Sequence, residues 1–202
     1  MTTQDSTEFK ILEAAKTVFI RKGMEGSRMQ EIADEAGINK ALLHYYYRSK
    51  DKLFKAVFQF AFQFFVPRAI ERIQTDLPFF DKIRFFVSTY CEMIEKNPYL
   101  PVFIINEIQR DPQGLLQLIR KSGINPALLV EQFNNAKKEG LVKENVDPRE
   151  IFLNVIGLSV FPYAARPLAE QIFFEGDKIG YDAMLQRRKT EVAEMIINHI
   201  KA

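Results

Sequence analysis

Ile32-Ala33-Asp34-Glu35-Ala36-Gly37-Ile38-Asn39-Lys40-Ala41-Leu42-Leu43-His44-Tyr45-Tyr46-Tyr47 is the run on which the architecture turns. It reads as two short helices joined through Ala36-Gly37-Ile38-Asn39. A tight turn between crossing helices needs a residue that tolerates positive φ, and Gly37 supplies it. Close crossing needs a small residue on the first helix, and Ala33 stands four residues before the glycine. An apolar residue on the second helix must close the core, and Leu43 stands six residues after it. Asn39 is a natural cap for that second helix. This three-point spacing is that of a DNA-binding helix–turn–helix, with the motif running over about residues 28–47.

The faces of the second helix sharpen the reading. At about 100° per residue, Leu42, Leu43, Tyr46 and Tyr47 share the inner side. Lys40, Ala41, His44 and Tyr45 share the outer side. A cation, a small residue, an imidazole and a phenol can reach phosphates and base edges. Three consecutive tyrosines point three ways and cannot all be core, which leaves Tyr45 for contact. Charge agrees. From Ile38 to Lys55 the cations are Lys40, Arg48, Lys50, Lys52 and Lys55, opposed by Asp51 alone. The whole chain carries only +2, so the polyanion signal is local. Glu31, Asp34 and Glu35 on the preceding helix must face away from nucleic acid.

Working outward, the period stays helical. Ile11, Leu12, Ala15, Val18 and Phe19 make one apolar stripe over Phe9–Lys22, with Gly23 as its stop. Ser27-x-x-Gln30 has the form of a capping box. Ser49 can cap a helix from Lys50 to Gln74 that contains Pro67, with Asp51 in its first turn. Further helices are predicted over Phe79–Lys96, Tyr99–Gln109, Leu115–Lys121, Pro126–Glu139, Pro148–Ala165 and Tyr181–Lys201. Pro167, Gly176 and Gly180 read as a break before the last helix. No strand alternation occurs. The fold class is all-α with about nine helices. Residues 1–52 form a small three-helix domain with the helix–turn–helix, and residues 53–202 a larger body.

The residues Ile11-Leu12-x-Ala14-Ala15, Val18-Phe19, Gly23, Ile32-Ala33-x-x-Ala36-Gly37-Ile38 and Leu43-x-Tyr45-Tyr46-Tyr47-x-Ser49-Lys50-x-x-Leu53 resemble the N-terminal domain of TetR-type transcriptional regulators. The resemblance implies a homodimeric, ligand-responsive repressor that binds double-stranded DNA at a near-palindromic operator. It places Lys40, Ala41, His44 and Tyr45 on the recognition helix. It makes Lys50 a phosphate contact, and Ser27 and Arg28 backbone contacts. Arg28, Leu42 and His44 depart from the family's common residues, which bears on the operator sequence rather than on DNA binding.

Ten of the 18 Phe lie between Phe54 and Phe86. Most suit core packing, yet Phe62, Phe65, Phe86, Tyr90, Met93 and Phe103 can line an aromatic cavity, with Asn106 and Glu107 as polar anchors. The resemblance places such a cavity in the helical body, for a small apolar or aromatic effector. Ile151, Val155, Gly157, Leu158 and Phe161 form one stripe, and Val192, Met195, Ile196 and Ile200 another. The family builds its dimer interface from the last two long helices; intramolecular core suits the same stripes.

The chain has 202 residues, 47% hydrophobic and 27% charged, which suits a globular core. Its single cysteine, Cys91, excludes an internal disulfide and a paired-cysteine zinc site. It reads as a buried small hydrophobe. His44 and His199 have no partner at metal-binding spacing. Nucleotide-cradling glycine motifs and a nucleophile elbow are absent. No metal, no catalytic cofactor and no enzyme activity are expected. Without an apolar leader or a run of about 20 apolar residues, the reading is a cytoplasmic protein with no membrane partner. The alternative is a helical small-molecule or lipid carrier that does not bind DNA.

Overall fold

The computed structural model describes residues 3–73, 76–121 and 125–202. Eleven helices occur among them: α1 Thr3–Gly26, α2 Met29–Glu35, α3 Lys40–Tyr46, α4 Lys50–Ile73, α5 Phe79–Lys96, α6 Leu100–Arg110, α7 Pro112–Lys121, α8 Pro126–Lys138, α9 Pro148–Ala164, α10 Arg166–Phe174 and α11 Lys178–Ile200. No strand occurs among the described residues, and an isolated bridge pairs Val142 with Lys201. The architecture is all-α with an N-terminal helix–turn–helix. No single helix among the described residues is long and apolar enough to cross a membrane.

The count exceeds the roughly nine predicted, and α10 is the one helix with no counterpart among the stretches named from the sequence. Pro167 falls within the first turn of α10, where its missing N–H costs no helical bond. The residue that would break a helix interior instead starts one. Asp177 caps α11 through its side chain, accepting from Gly180 N at 3.0 Å. That helix therefore begins at Lys178 rather than Tyr181. Gly23 does leave helical geometry (φ 69), but helix resumes to Gly26.

The chain divides into two compact units. One comprises residues 1–64 and 97–118, and the other residues 65–96 and 119–202. In the first, Ile11, Ala15, Val18 and Phe19 of α1 pack with Ile32 and Ala33 of α2, Leu43 of α3, and Leu53, Phe54, Val57 and Phe58 of α4, all essentially inaccessible. The Phe19 and Phe54 rings lie 4.6 Å apart, with Tyr99 packed edge-on to Phe54 at 5.7 Å. Each such buried ring contributes about 1.5–3 kcal/mol.

In the second unit, Val87 and Cys91 of α5, Ile151 and Val155 of α9, and Val192, Ala193, Ile196 and Ile200 of α11 form one core. This corrects the expected dimer stripes. Ile151, Val155, Val192, Ile196 and Ile200 are buried inside the single chain. Gly157, Phe161 and Met195 of the same helices are exposed, and Leu158 is half-buried against the core. Each helix was expected to carry one apolar face; α9 carries two, one internal through Ile151 and Val155 and one exposed through Leu153 and Phe161.

Candidate nucleic-acid interface and apolar groove

The turn between α2 and α3 is built locally. Gly37 takes φ 67, and Ala36 and Ile38 donate to the Ile32 and Ala33 carbonyls at 3.0 Å. Asn39 Oδ1 accepts from Leu42 N at 2.8 Å and caps α3. Leu43 is the buried residue of α3. Tyr47, just past its end, is buried too, and its hydroxyl donates to Glu8 Oε1 at 2.7 Å. Burial, with Glu8 beside it, pushes the pKa of that phenol well above its ordinary value and keeps it protonated.

Lys40, Ala41, His44 and Tyr45 are all exposed, and Tyr45 is 75% exposed. The Tyr45 ring stands edge-on to Tyr46 at 5.6 Å, which steadies a phenol otherwise free in solvent. Leu42, expected on the inner side, is 37% exposed instead. A two-turn helix anchored by one leucine leaves its flanking positions uncovered.

The acids of α2 are held by α1. Lys22 Nζ meets Glu31 Oε1 at 2.7 Å, and Arg21 meets Glu35 at 3.4 Å. The Lys22 contact lowers the Glu31 carboxyl below its ordinary value. Asp34 accepts from Gln30 Nε2 at 2.7 Å.

Three expected contacts behave differently from one another. Arg28 is exposed, and its backbone N–H, rather than a Ser27–Gln30 box, meets the first turn of α2 by donating to Glu31 Oε2 at 3.3 Å. Ser27 is buried, and its hydroxyl donates to the Met24 carbonyl at 2.7 Å. Lys50 Nζ donates to the carbonyls of Met24 (2.7 Å), Ser27 (3.1 Å) and Glu25 (3.3 Å). The ammonium thus caps the end of α1, where unpaired carbonyls favour a cation. In this arrangement none of its three N–H donors is left for a phosphate.

Other cations of the basic run divide likewise. Lys55 pairs with Asp111 at 3.6 Å, and Asp51 pairs with Arg110 at 3.0 Å. Lys40, Arg48 and Lys52 are exposed and make no ion pair among the described residues. Arg48 and Lys52 were counted in the local charge but not assigned contacts. Only tertiary pairing separates them from Lys50 and Lys55. Ser49 Oγ accepts from Lys52 N at 3.2 Å and caps α4.

Of the expected effector residues, Phe86, Tyr90, Met93 and Asn106 have described side chains. Phe62, Phe65, Phe103 and Glu107 lie outside the residues whose side chains are described. Asn106 is exposed, in the first unit. Tyr90 and Met93 are buried, and Phe86 stacks on Tyr90 at 6.0 Å. An apolar groove in the second unit takes in Phe86 from the expected set. Phe79, Ile83 and Phe86 of α5, Leu129 and Phe133 of α8, and Ile151, Phe152 and Val155 of α9 line it. Lys82 Nζ donates to Gln132 Oε1 at 2.8 Å among its lining residues. Its volume of about 60 Å³ holds a few waters, so a larger guest must widen it. Among the described residues no group of three His, Cys, Asp or Glu could hold a metal ion.

Comparison with known proteins adds to this geometry. The family model described as "Bacterial regulatory proteins, tetR family" matches residues 11–57. The transcriptional repressor SCO4008 of Streptomyces coelicolor is 42% identical over 55 residues, 27% of this chain and 29% of the relative. The transcriptional activator FasR of Mycolicibacterium smegmatis is 29% identical over 117 residues, 57% of this chain and 53% of the relative. These matches thus span about half or less of the curated relatives' length. The structure of FadR from Bacillus subtilis in complex with stearoyl-CoA superposes with a TM-score of 0.70 at 18% identity, covering 94% of this chain and 97% of that one, a likeness of fold. The local turn, the exposed face of α3 and the all-helical body agree with the match: residues 11–57 are similar to the N-terminal domain of the TetR family of bacterial regulatory proteins, and the likeness beyond them is one of fold.

Proposed function

We propose that the protein is a cytoplasmic, homodimeric transcriptional regulator that binds near-palindromic double-stranded DNA through α3. It acts as a repressor that releases its operator when a small apolar or aromatic effector occupies the helical body. The observation that carries the reading is α3 itself. It buries Leu43 and presents Lys40, Ala41, His44 and Tyr45 to solvent. Side chains without a core role, on a helix short enough to enter a major groove, are placed for base and phosphate contact. Arg28, Arg48 and Lys52 supply nearby positive charge. The exposed Gly157, Phe161 and Met195, with Leu153 (68% exposed), are the surface on which we place the second protomer. The apolar groove of the second unit is the place for the effector.

The test is selection of bound sites from random duplex DNA, followed by affinity measured across salt concentrations. The expected result is a near-palindrome whose affinity falls linearly with the logarithm of salt. Absence of salt-dependent retention on any duplex would leave the carrier reading.

A further inference from the structure

Among the described residues, the buried Tyr163 hydroxyl and Arg188 Nε in the second unit have no hydrogen-bond partner, and the buried Ser159 Oγ has none stronger than the neighbouring Cys91 thiol. They belong together. Ser159 and Tyr163 sit one turn apart on the same side of α9. Arg188 reaches them from α11, its Nη2 donating at 2.7 Å to the carbonyl of Leu158, the residue before Ser159. Cys91 of α5 lies against the same groups. Ser159 is 1% exposed. A buried donor without an acceptor is costly, so such a cluster calls for a guest.

The guest must bring negative charge. Arg188 has no ion pair among the described residues. The acid near this cluster, Glu95, is already held by Lys189 at 2.7 Å and by Gln186. Arg166, further along, is matched by Glu170 and Asp182. What remains is one positive charge and three donors with no anion, the complement of a monoanionic oxygen group. Burial raises the Cys91 thiol, so it stays protonated and is no nucleophile here.

The cluster begins one turn of α9 beyond Val155, where the groove's lining on that helix ends. Ile151 and Val155 line the groove, and Ser159 and Tyr163 extend that row of α9 at steps of about 6 Å. We propose that Ser159, Tyr163 and Arg188 form the head-group site for an organic monocarboxylate whose apolar part occupies the α5–α8–α9 groove. This deepens, and rests on, the ligand-responsive reading above.

The experiment is calorimetric binding without DNA, so that failure of operator release bears on the regulatory reading alone. The probes are octanoate and 4-phenylbutanoate, each against its alcohol. At least one acid should bind wild type roughly tenfold tighter than its alcohol. Arg188→Gln should erase that preference, and the double variant Ser159→Ala with Tyr163→Phe should reduce it. The double variant, checked by thermal melting, carries the test if loss of the Arg188–Leu158 bond unfolds the protein. Lys82→Gln, at the cation that lines the groove, tests the rival head-group site: it can change both affinities, but the preference of acid over alcohol should survive it. If neither acid outbinds its alcohol, the cluster holds only water and the proposal is overturned. A preference that survives in the folded variants, or that vanishes with Lys82→Gln instead, overturns it equally.

Discussion

Lys50 holds three carbonyls at the junction of α1 and α2, and its removal should be felt in folding. Lys50→Met is expected to destabilise the protein by ~1–3 kcal/mol, because three acceptors lose a charged donor. Urea unfolding would register the loss, while the salt slope of DNA binding should stay unchanged. Lys52 behaves oppositely. It is exposed and unpaired, so Lys52→Ala should leave stability alone and flatten the salt slope by about one unit. His44 has no core role, so His44→Ala should change preference at one base position, by ~1–3 kcal/mol across a panel of mutated sites. Gly37 has open space around a would-be Cβ but a φ of 67. Gly37→Ala should therefore cost only the left-handed strain, ~1–2 kcal/mol in chemical denaturation.

At the level of the element, α9 is the informative helix because its two faces have different fates. Ile151 and Val155 are core, whereas Gly157 and Phe161 look into solvent. Gly157→Glu with Phe161→Glu should yield monomers in sedimentation while circular dichroism keeps its helical signal. No neighbour stands within 4 Å of a Cβ at residue 157, so the first change fits without displacement. Ile196→Ala on α11 should instead lower stability by ~2–5 kcal/mol, the usual cost of a truncated core isoleucine. Monomers with lost helicity from the α9 variant would mean that this face is internal after all. The neighbouring α10 adds Leu168, Ile172 and Phe173 to the exposed apolar surface. Prolines were read as breaks there, and the rule that Pro suits a first turn outweighed that signal.

For the whole molecule, the proposed function requires two copies, because one α3 would contact too few base pairs to define a site. Their recognition helices should engage half-sites about one turn, ~34–36 Å, apart. Inserting about half a turn of DNA between the half-sites of a selected operator should reduce binding to the level of a single half-site, read by fluorescence anisotropy. The all-helical class and the helix–turn–helix were legible from residues alone, because Ala33, Gly37 and Leu43 act within one short motif. Caps such as Asn39 and Ser49 bind their own neighbours two or three residues on, and helical period is likewise a local property. Sequence periodicity shows which residues share a face but not what covers it. Whether Ile196 meets its own chain or another, whether Lys50 meets a phosphate or the end of α1, and whether Arg188 stands beside an acid or two hydroxyls were decided by tertiary packing. Those partners lie far apart in sequence, and only folding brings their charges and surfaces together.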